Sequence, residues 1–336
     1  MNAMKEKPSG NLAAALSRNS TVMIGFVLIG LVIIATIISP YFISLYNLQS
    51  LMRDISLIGL VAVGQALLLL IGELDLSVGA MATLAGIFGG LLMTSVGMNP
   101  VLAFVLGLLS GAGFGALNGL LVTRLKINSM VTTIGMQGVY SGITLVITKG
   151  QAITQIPDSV LFLGKGDAGG IPISFIIMLV VMAVLLLYVS KTITGRYIYA
   201  IGNSKPAAKI LGIKVDKIRV LMFTIMGFLS ALAGMLCLAR LGSAQAAVGT
   251  NWAMNSIAAC VIGGVLLTGG VGSPAGAVIG TAIISIISNV IVLVGVNIYA
   301  QSAVSGIVVV LAIALPSILG IMRERKKAKG LGLEKP

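Results

Sequence analysis

The chain has 336 residues, of which 57% are hydrophobic and only 9% charged, with a mean hydropathy of +1.10; soluble domains carry roughly a quarter charged residues, so an ordinary water-soluble globule is excluded. With no histidine and only Cys237 and Cys260, zinc clusters, imidazole bases and Ser-His-Asp triads are excluded too, and neither a catalytic group, a metal nor a cofactor is expected. The net charge of +13 does not call for nucleic acid, because the basic residues sit at the ends of apolar runs and in the tails, where membrane topology accounts for them.

Apolar runs long enough to cross about 30 Å of hydrocarbon as helices are expected at Val22–Ser39, Ile55–Ile71, Val78–Val96, Val101–Val122, Val131–Thr148, Ile173–Ser190, Val220–Ala239, about Ser256–Leu267, Ala275–Val294 and Ser302–Ile321. The eighth is short enough to read either as a span or as a re-entrant piece. Basic residues favour the cytoplasmic side, and ten crossings leave all but four of the 22 (Arg53, Lys149, Lys165 and Arg240) inside. The expectation is therefore an all-α polytopic membrane protein of about ten transmembrane helices with both termini cytoplasmic. It divides into an N-terminal tail (1–20), a transmembrane domain (21–322) containing a basic cytoplasmic segment (191–219), and a basic C-terminal tail (323–336). No A-x-A-like site follows the first run, which is read as a span rather than a cleaved signal.

Between the second and third runs lies GELDLSVG, residues 72–79, and between the eighth and ninth LTGGVGSP, residues 267–274. These glycine-flanked breaks are candidate equivalent points of two related halves, as in many transporters. An acid near a membrane is a functional hypothesis by default, and three readings are open for Glu73 and Asp75. Asp75 caps the following helix with Ser77; or the acids grip a basic loop through Arg124 or Arg219; or they couple a proton or cation. Two residues apart, they point to opposite sides of an extended strand. Gly107, Gly111, Gly115 and Gly119 recur every four residues, and Gly272, Gly276 and Gly280 repeat the device; close bundle packing, a dimer face and a sliding seam all remain open.

The segment 191–219 holds seven Lys/Arg and one acid between two apolar runs. Its centre reads as a short helix: Asn203 and Ser204 are N-cap types, Pro206 suits the first turn, and Gly212 ends it in the left-handed region. Ile210 and Leu211 form a small apolar face beside Lys205 and Lys209. Such a helix needs something to dock on, either a protein or lipid headgroups.

The phrases NLQSLMRDISLIGLVAVGQALLLLIGELDLSVGA, LNGLLVTRLKINSMVTTIG, TGRYIYAIGNSKPAAKILGIKV and IAACVIGGVLLTGGVGSPAGAVIGT, in order between Asn47 and Pro316, resemble the membrane subunit of ribose-type sugar importers of the ATP-binding-cassette class. The resemblance implies a permease of the bacterial cytoplasmic membrane that pairs with a second copy or a paralogue, binds cytoplasmic ATP-binding subunits, and receives a small-molecule sugar from an extracytoplasmic binding protein. It also implies that the helix from Asn203 to Gly212 couples to the ATPase, with Gly195, Arg196, Gly202, Asn203, Ala207, Ala208 and Gly212 as the residues concerned. No G-x-x-x-x-G-K-[ST] loop is present, so ATP hydrolysis is expected in a separate subunit. The chain departs from the family pattern at Glu73, where a small or apolar residue is commoner, and at Met254 and Asn255, where acids are. These departures leave the choice of sugar open.

Uncharged polar residues within the spans are the candidates for a translocation path: Asn118 and Asn255 first, then Gln65, Gln137, Thr132, Thr133, Ser256 and Asn289, each with interhelical hydrogen bonding as the competing role. Two alternatives to the importer are an ion-coupled secondary transporter, which needs ionisable groups at mid-depth, and a non-transporting membrane scaffold.

Overall fold

The computed structural model describes residues 20–297 together with 303, 306, 307 and 310. Among them are twelve α-helices: α1 (Ser20–Ile38), α2 (Leu45–Leu70), α3 (Val78–Thr94), α4 (Pro100–Arg124), α5 (Ser129–Thr148), α6 (Asp158–Lys165), α7 (Ile173–Lys191), α8 (Ile193–Asn203), α9 (Lys205–Ile210), α10 (Val215–Leu241), α11 (Trp252–Ile262) and α12 (Pro274–Leu293). Six of them, α2, α4, α5, α7, α10 and α12, are long and apolar enough to cross a membrane, while Met23–Ile38, Val78–Thr94 and Trp252–Ile262 are shorter apolar stretches. The expected tenth run, Ser302–Ile321, and both tails lie largely or wholly outside the described residues.

Several helices differ from their expected bounds for identifiable reasons. The second begins at Leu45, ten residues early, so Arg53 and Asp54 lie within it. It tolerates them because Arg240 pairs with Asp54 at 2.6 Å and Arg53 donates to the Lys165 carbonyl at 2.9 Å. The seventh begins at Val215 because its charged first turns are partnered, Arg219 lying 3.5 Å from Asp216. The eighth is only eleven residues long and stops at Ile262, since Gly264 turns left-handed at φ 79° and ends the helix. Helix α6 and the two-residue strands β1 (Asp167–Ala168) and β2 (Ile171–Pro172), paired antiparallel, form a cap at one end of the bundle that the apolar pattern does not announce. The basic residues expected outside, Arg53, Lys165 and Arg240, gather at this end. Arg219, Lys205 and Lys126 gather at the other.

Helices α2 and α10 are buried at the centre and the remaining helices pack around them. Glycine decides how closely α10 is approached. A methyl added at Gly111 would overlap the Ala231 side chain, at Gly115 the Phe223 carbonyl, and at Gly227 the Gly111 carbonyl. The stripe on α4 is thus a backbone-to-backbone seam with α10 inside one chain. Gly276 and Gly280 perform the same task for α12 against Gly263 and Ala259.

Substituting Gly115 by valine sets a side chain against backbone that cannot yield, at a cost of about 1–3 kcal/mol or more. The expected outcome is a melting temperature in detergent several degrees lower, or loss of the monodisperse protein. Gly113→Val, on the same helix with nothing within 4 Å, is expected to leave the melting curve in place.

Candidate functional site

The segment between α7 and α10 is built as a rigid elbow. Thr192 caps α8, its Oγ1 accepting from the Gly195 amide at 3.1 Å, and Gly195 sits so close to the Val189 carbonyl that no side chain fits. Ile198 and Ile201 face inward while Arg196 faces solvent. Ser204 caps α9, accepting from Ala207 N at 3.3 Å. Pro206 stands in its first turn, and Gly212 closes it at φ 76° with Ile213 N donating to Ala208 O at 3.1 Å. The capped turn expected from the sequence is present, with one correction: Asn203 is the last residue of α8 rather than a cap, because the extended backbone required of a cap falls at Ser204 (φ −162°, ψ 105°). Ala208 is buried and Ala207 exposed, so the two alanines serve different faces. Beyond them Ile210 and Leu211 project into solvent, 87% and 75% exposed.

This elbow touches both interrupted regions at once. Gly202 is wedged between the Leu70 carbonyl, at the end of α2, and the Gly270 amide, and a methyl there would overlap both. Gly270 N donates to Leu70 O at 2.9 Å, and the Tyr199 hydroxyl donates to Gly272 O at 2.9 Å. Burial raises the Tyr199 pKa above the ordinary tyrosine value. The two breaks therefore meet each other and the basic segment in one place.

Glu73 and Asp75 point opposite ways, as their spacing requires. Glu73, almost wholly buried, accepts from Lys205 Nζ at 2.6 Å and from Arg219 Nη2 at 2.8 Å. The grip on a basic loop holds for Glu73 with Arg219, and Lys205 takes the place considered for Arg124. Asp75 holds the cap residue rather than the first-turn amides: its Oδ1 accepts from Ser77 N at 2.8 Å and Ser77 Oγ at 2.6 Å, and its Oδ2 from Asn118 Nδ2 at 3.1 Å, while Ser77, the N-cap of α3, offers no side-chain cap bond of its own. Tyr140 completes this buried network by donating to Asn118 Oδ1 at 2.9 Å. Ser129 and Thr133, one turn apart on α5, accept from the Leu74 and Leu76 amides at 3.3 and 3.0 Å, so alternate donors of an extended strand meet alternate turns of a helix.

Above the first break lies a cavity of about 80 Å³, at the first turns of α3 and α11. The chain after α10 folds back into the bundle to close it: Gly249 packs on Gly79, and Thr83 Oγ1 donates to the Val248 carbonyl. Its polar lining comes from Thr83, Gln137, Ser141, Thr144 and Thr250, none of them ionisable.

Of the path candidates, Gln137 lines this cavity. Asn118 does not, its side chain being committed to Asp75 and Tyr140. Thr133 is spent on the Leu76 amide, Thr132 donates to the Asn128 carbonyl, and buried Ser256 donates to Ala253 O. Asn255 and Asn289 line a separate recess of about 610 Å³ with Asn47, which exchanges hydrogen bonds with Asn289 at 3.0 and 2.8 Å. Gln65 is fully buried with no hydrogen-bond partner for either amide atom. Ser141 and Thr144 were legible, standing four and seven residues after Gln137 on one helical face. Thr83 and Thr250 reach the cavity only through the fold-back, which no local pattern reveals.

The family profile described as "Branched-chain amino acid transport system / permease component" matches residues 47–313. The chain belongs to this permease family. It is 40% identical to the ribose import permease protein of Bacillus subtilis (strain 168), over 82% of this chain and 86% of that one. With the ribose import permease protein of Escherichia coli (strain K12) the identity is 34% over 82% and 86%, and with the autoinducer 2 import system permease protein of Yersinia enterocolitica it is 34% over 78% and 74%. No solved structure matches the chain. As a permease subunit of an ATP-binding-cassette importer it is a multi-pass protein of the cytoplasmic membrane, and ATP hydrolysis belongs to a separate subunit.

If the glycine junction of this permease is as tight as its geometry, Gly202→Ala separates the two breaks. Deuterium exchange in residues 70–77 and 266–273 is then expected to rise about tenfold or more, the equivalent of about 1.4 kcal/mol or greater. Gly212→Ala, which adds only left-handed strain of about 1–2 kcal/mol, is expected to speed exchange within α9 alone.

Proposed function

We propose that the chain is the membrane subunit of an ATP-driven importer for a monosaccharide or similar small polyol, moving it by alternating access. On this reading it pairs with a second permease copy or a close paralogue, binds cytoplasmic ATPase subunits through α9, and accepts its sugar from an extracytoplasmic binding protein. The bundle crosses the membrane about ten times with both tails, 1–20 and 323–336, in the cytoplasm; the transmembrane domain runs from 21 to 322, and 191–219 is the coupling segment. Within that segment Gly195, Gly202 and Gly212 set the shape of the elbow, Asn203 and Ala208 anchor it, and Arg196 and Ala207 face the partner.

The observation that carries the substrate class is the cavity. Its polar side chains are hydroxyls and one carboxamide, which suit a neutral polyol, whereas an amino acid brings an ammonium group that has no carboxylate to meet among the lining residues. The relatives named as ribose permeases support the same choice over the amino acids in the family's description. A cavity of about 80 Å³ is well below the roughly 300–1,000 Å³ of ordinary ligand pockets, as suits a gate held closed, and Gln137 with Ser141 and Thr144 stands on its wall. Ile210 and Leu211, with basic neighbours Lys205 and Lys209, suit an apolar socket rimmed by acids on the ATPase.

Proteoliposomes holding the permease, its ATPase subunit and the binding protein are expected to accumulate radiolabelled D-ribose only with ATP inside the ATPase compartment. Accumulation driven by a proton gradient without ATP, or accumulation of L-leucine and not ribose, would sink the reading. Ile210→Asp with Leu211→Asp is expected to weaken co-purification of the ATPase at least about tenfold, since burying either side chain is worth about 1.5–3 kcal/mol. Both side chains lie in solvent in the free subunit, so its melting temperature is expected to stay put.

A further inference from the structure

Two kinds of contact join the elbow to the gate, and they resist opposite displacements. The Gly202 junction is steric: it pushes the Leu70 and Gly270 backbone when the elbow advances, but van der Waals contact offers little when the elbow withdraws. Attraction comes from Tyr199, whose hydroxyl ties the elbow to Gly272 O in the second break, and from Glu73, which ties it to the first. Its Oε1 holds Lys205 Nζ at 2.6 Å, on the first residue of α9, and the guanidinium of Arg219 at 2.8 and 2.9 Å, on α10. The carboxylate is 3% exposed against 40% for Lys205 and 16% for Arg219, so two cations secure a group the solvent barely reaches. The facing charges also include Asp216, 3.5 Å from Arg219, with Lys209 and Lys126 around the same groove.

From Glu73 the chain to the gate is short and taut. Two residues on, Asp75 is bound to Ser77 and Asn118, and Ser77 is the residue from which α3 starts. Leu76, Gly79, Ala80 and Thr83, the next turns, line the cavity. A displacement at Lys205 thus reaches the cavity wall through one ion pair and a few residues of hydrogen-bonded backbone.

We infer that Glu73 is a positioning residue for transport: through Lys205 and Arg219 it draws the start of α3 along when the ATPase-bearing helix moves back, so that the gate is driven in both directions. This rests on the importer reading above and adds to it the return stroke.

The test uses the permease assembled with its ATPase subunit and a fluorophore on a cysteine introduced at Thr250, which is exposed and lines the cavity. Cys237 and Cys260 are both buried, so labelling is selective. In the parent complex, ATP binding is expected to shift the emission. Glu73→Gln, which keeps the volume and removes the charge, is expected to cut that shift at least about fivefold, the low end of site-to-site coupling. The conservative Glu73→Asp keeps a carboxylate before Lys205 and Arg219, and it is expected to retain at least half of the shift. A purely structural role would lower the melting temperature without this rescue. An undiminished shift in a folded Glu73→Gln complex overturns the tether and leaves the importer standing. No shift in the parent removes the importer reading, and the tether with it. Should Glu73→Gln fail to assemble, Lys205→Gln leaves Glu73 paired to Arg219; there the shift is expected to fall at least about twofold, and a full shift overturns the proposal.

Discussion

An interrupted helix inside an apolar bundle releases backbone donors and acceptors where water is scarce, and each one left unpaired costs several kcal/mol. Among the described residues the bundle is interrupted after Leu70 and after Ile262, and much of the remaining architecture answers that demand. Gly72 and Glu73 amides return to Leu69 and Leu68, Leu74 and Leu76 amides go to Ser129 and Thr133, and the Ser77 amide goes to Asp75. In the second break Val265 bonds back to Cys260, Leu266 to Val271, and Gly270 crosses to Leu70. The polar residues buried in the bundle are therefore not scattered; Asp75, Ser77, Asn118, Ser129 and Thr133 exist where they do because the backbone beside them is irregular.

Glycine sets the second condition. Broken helices present carbonyls and amides rather than side chains, and those groups meet only where no Cβ stands between. Gly202 against Leu70 and Gly270, and Gly79 against Gly249, are contacts of this kind. They hold the elbow, the breaks and the cavity together, and the α4–α10 seam packs backbone on backbone beside them.

Much of this is legible in the order of residues alone. Hydrophobic run length locates the long helices, and Ser204, Pro206 and Gly212 mark α9 because capping chemistry is local. The opposite orientation of Glu73 and Asp75 follows from their spacing. What local pattern does not encode are the tertiary partners: that Lys205 joins Arg219 on Glu73, that Asn118 bonds Asp75, or that the stretch 242–251 folds back on α3. The early start of α2 is hidden as well, because Arg53 and Asp54 look like a loop until Arg240 and the Lys165 carbonyl are placed beside them.

The cavity wall of hydroxyls and a single carboxamide has one further consequence. An uncharged solute passing such a wall moves no net charge through the bilayer, and the membrane voltage, worth about 2.3 kcal/mol per elementary charge per 100 mV, does no work on it. On the importer reading proposed above, voltage neither drags a neutral cargo inward nor holds it back, and ATP hydrolysis on the cytoplasmic face sets the direction of travel.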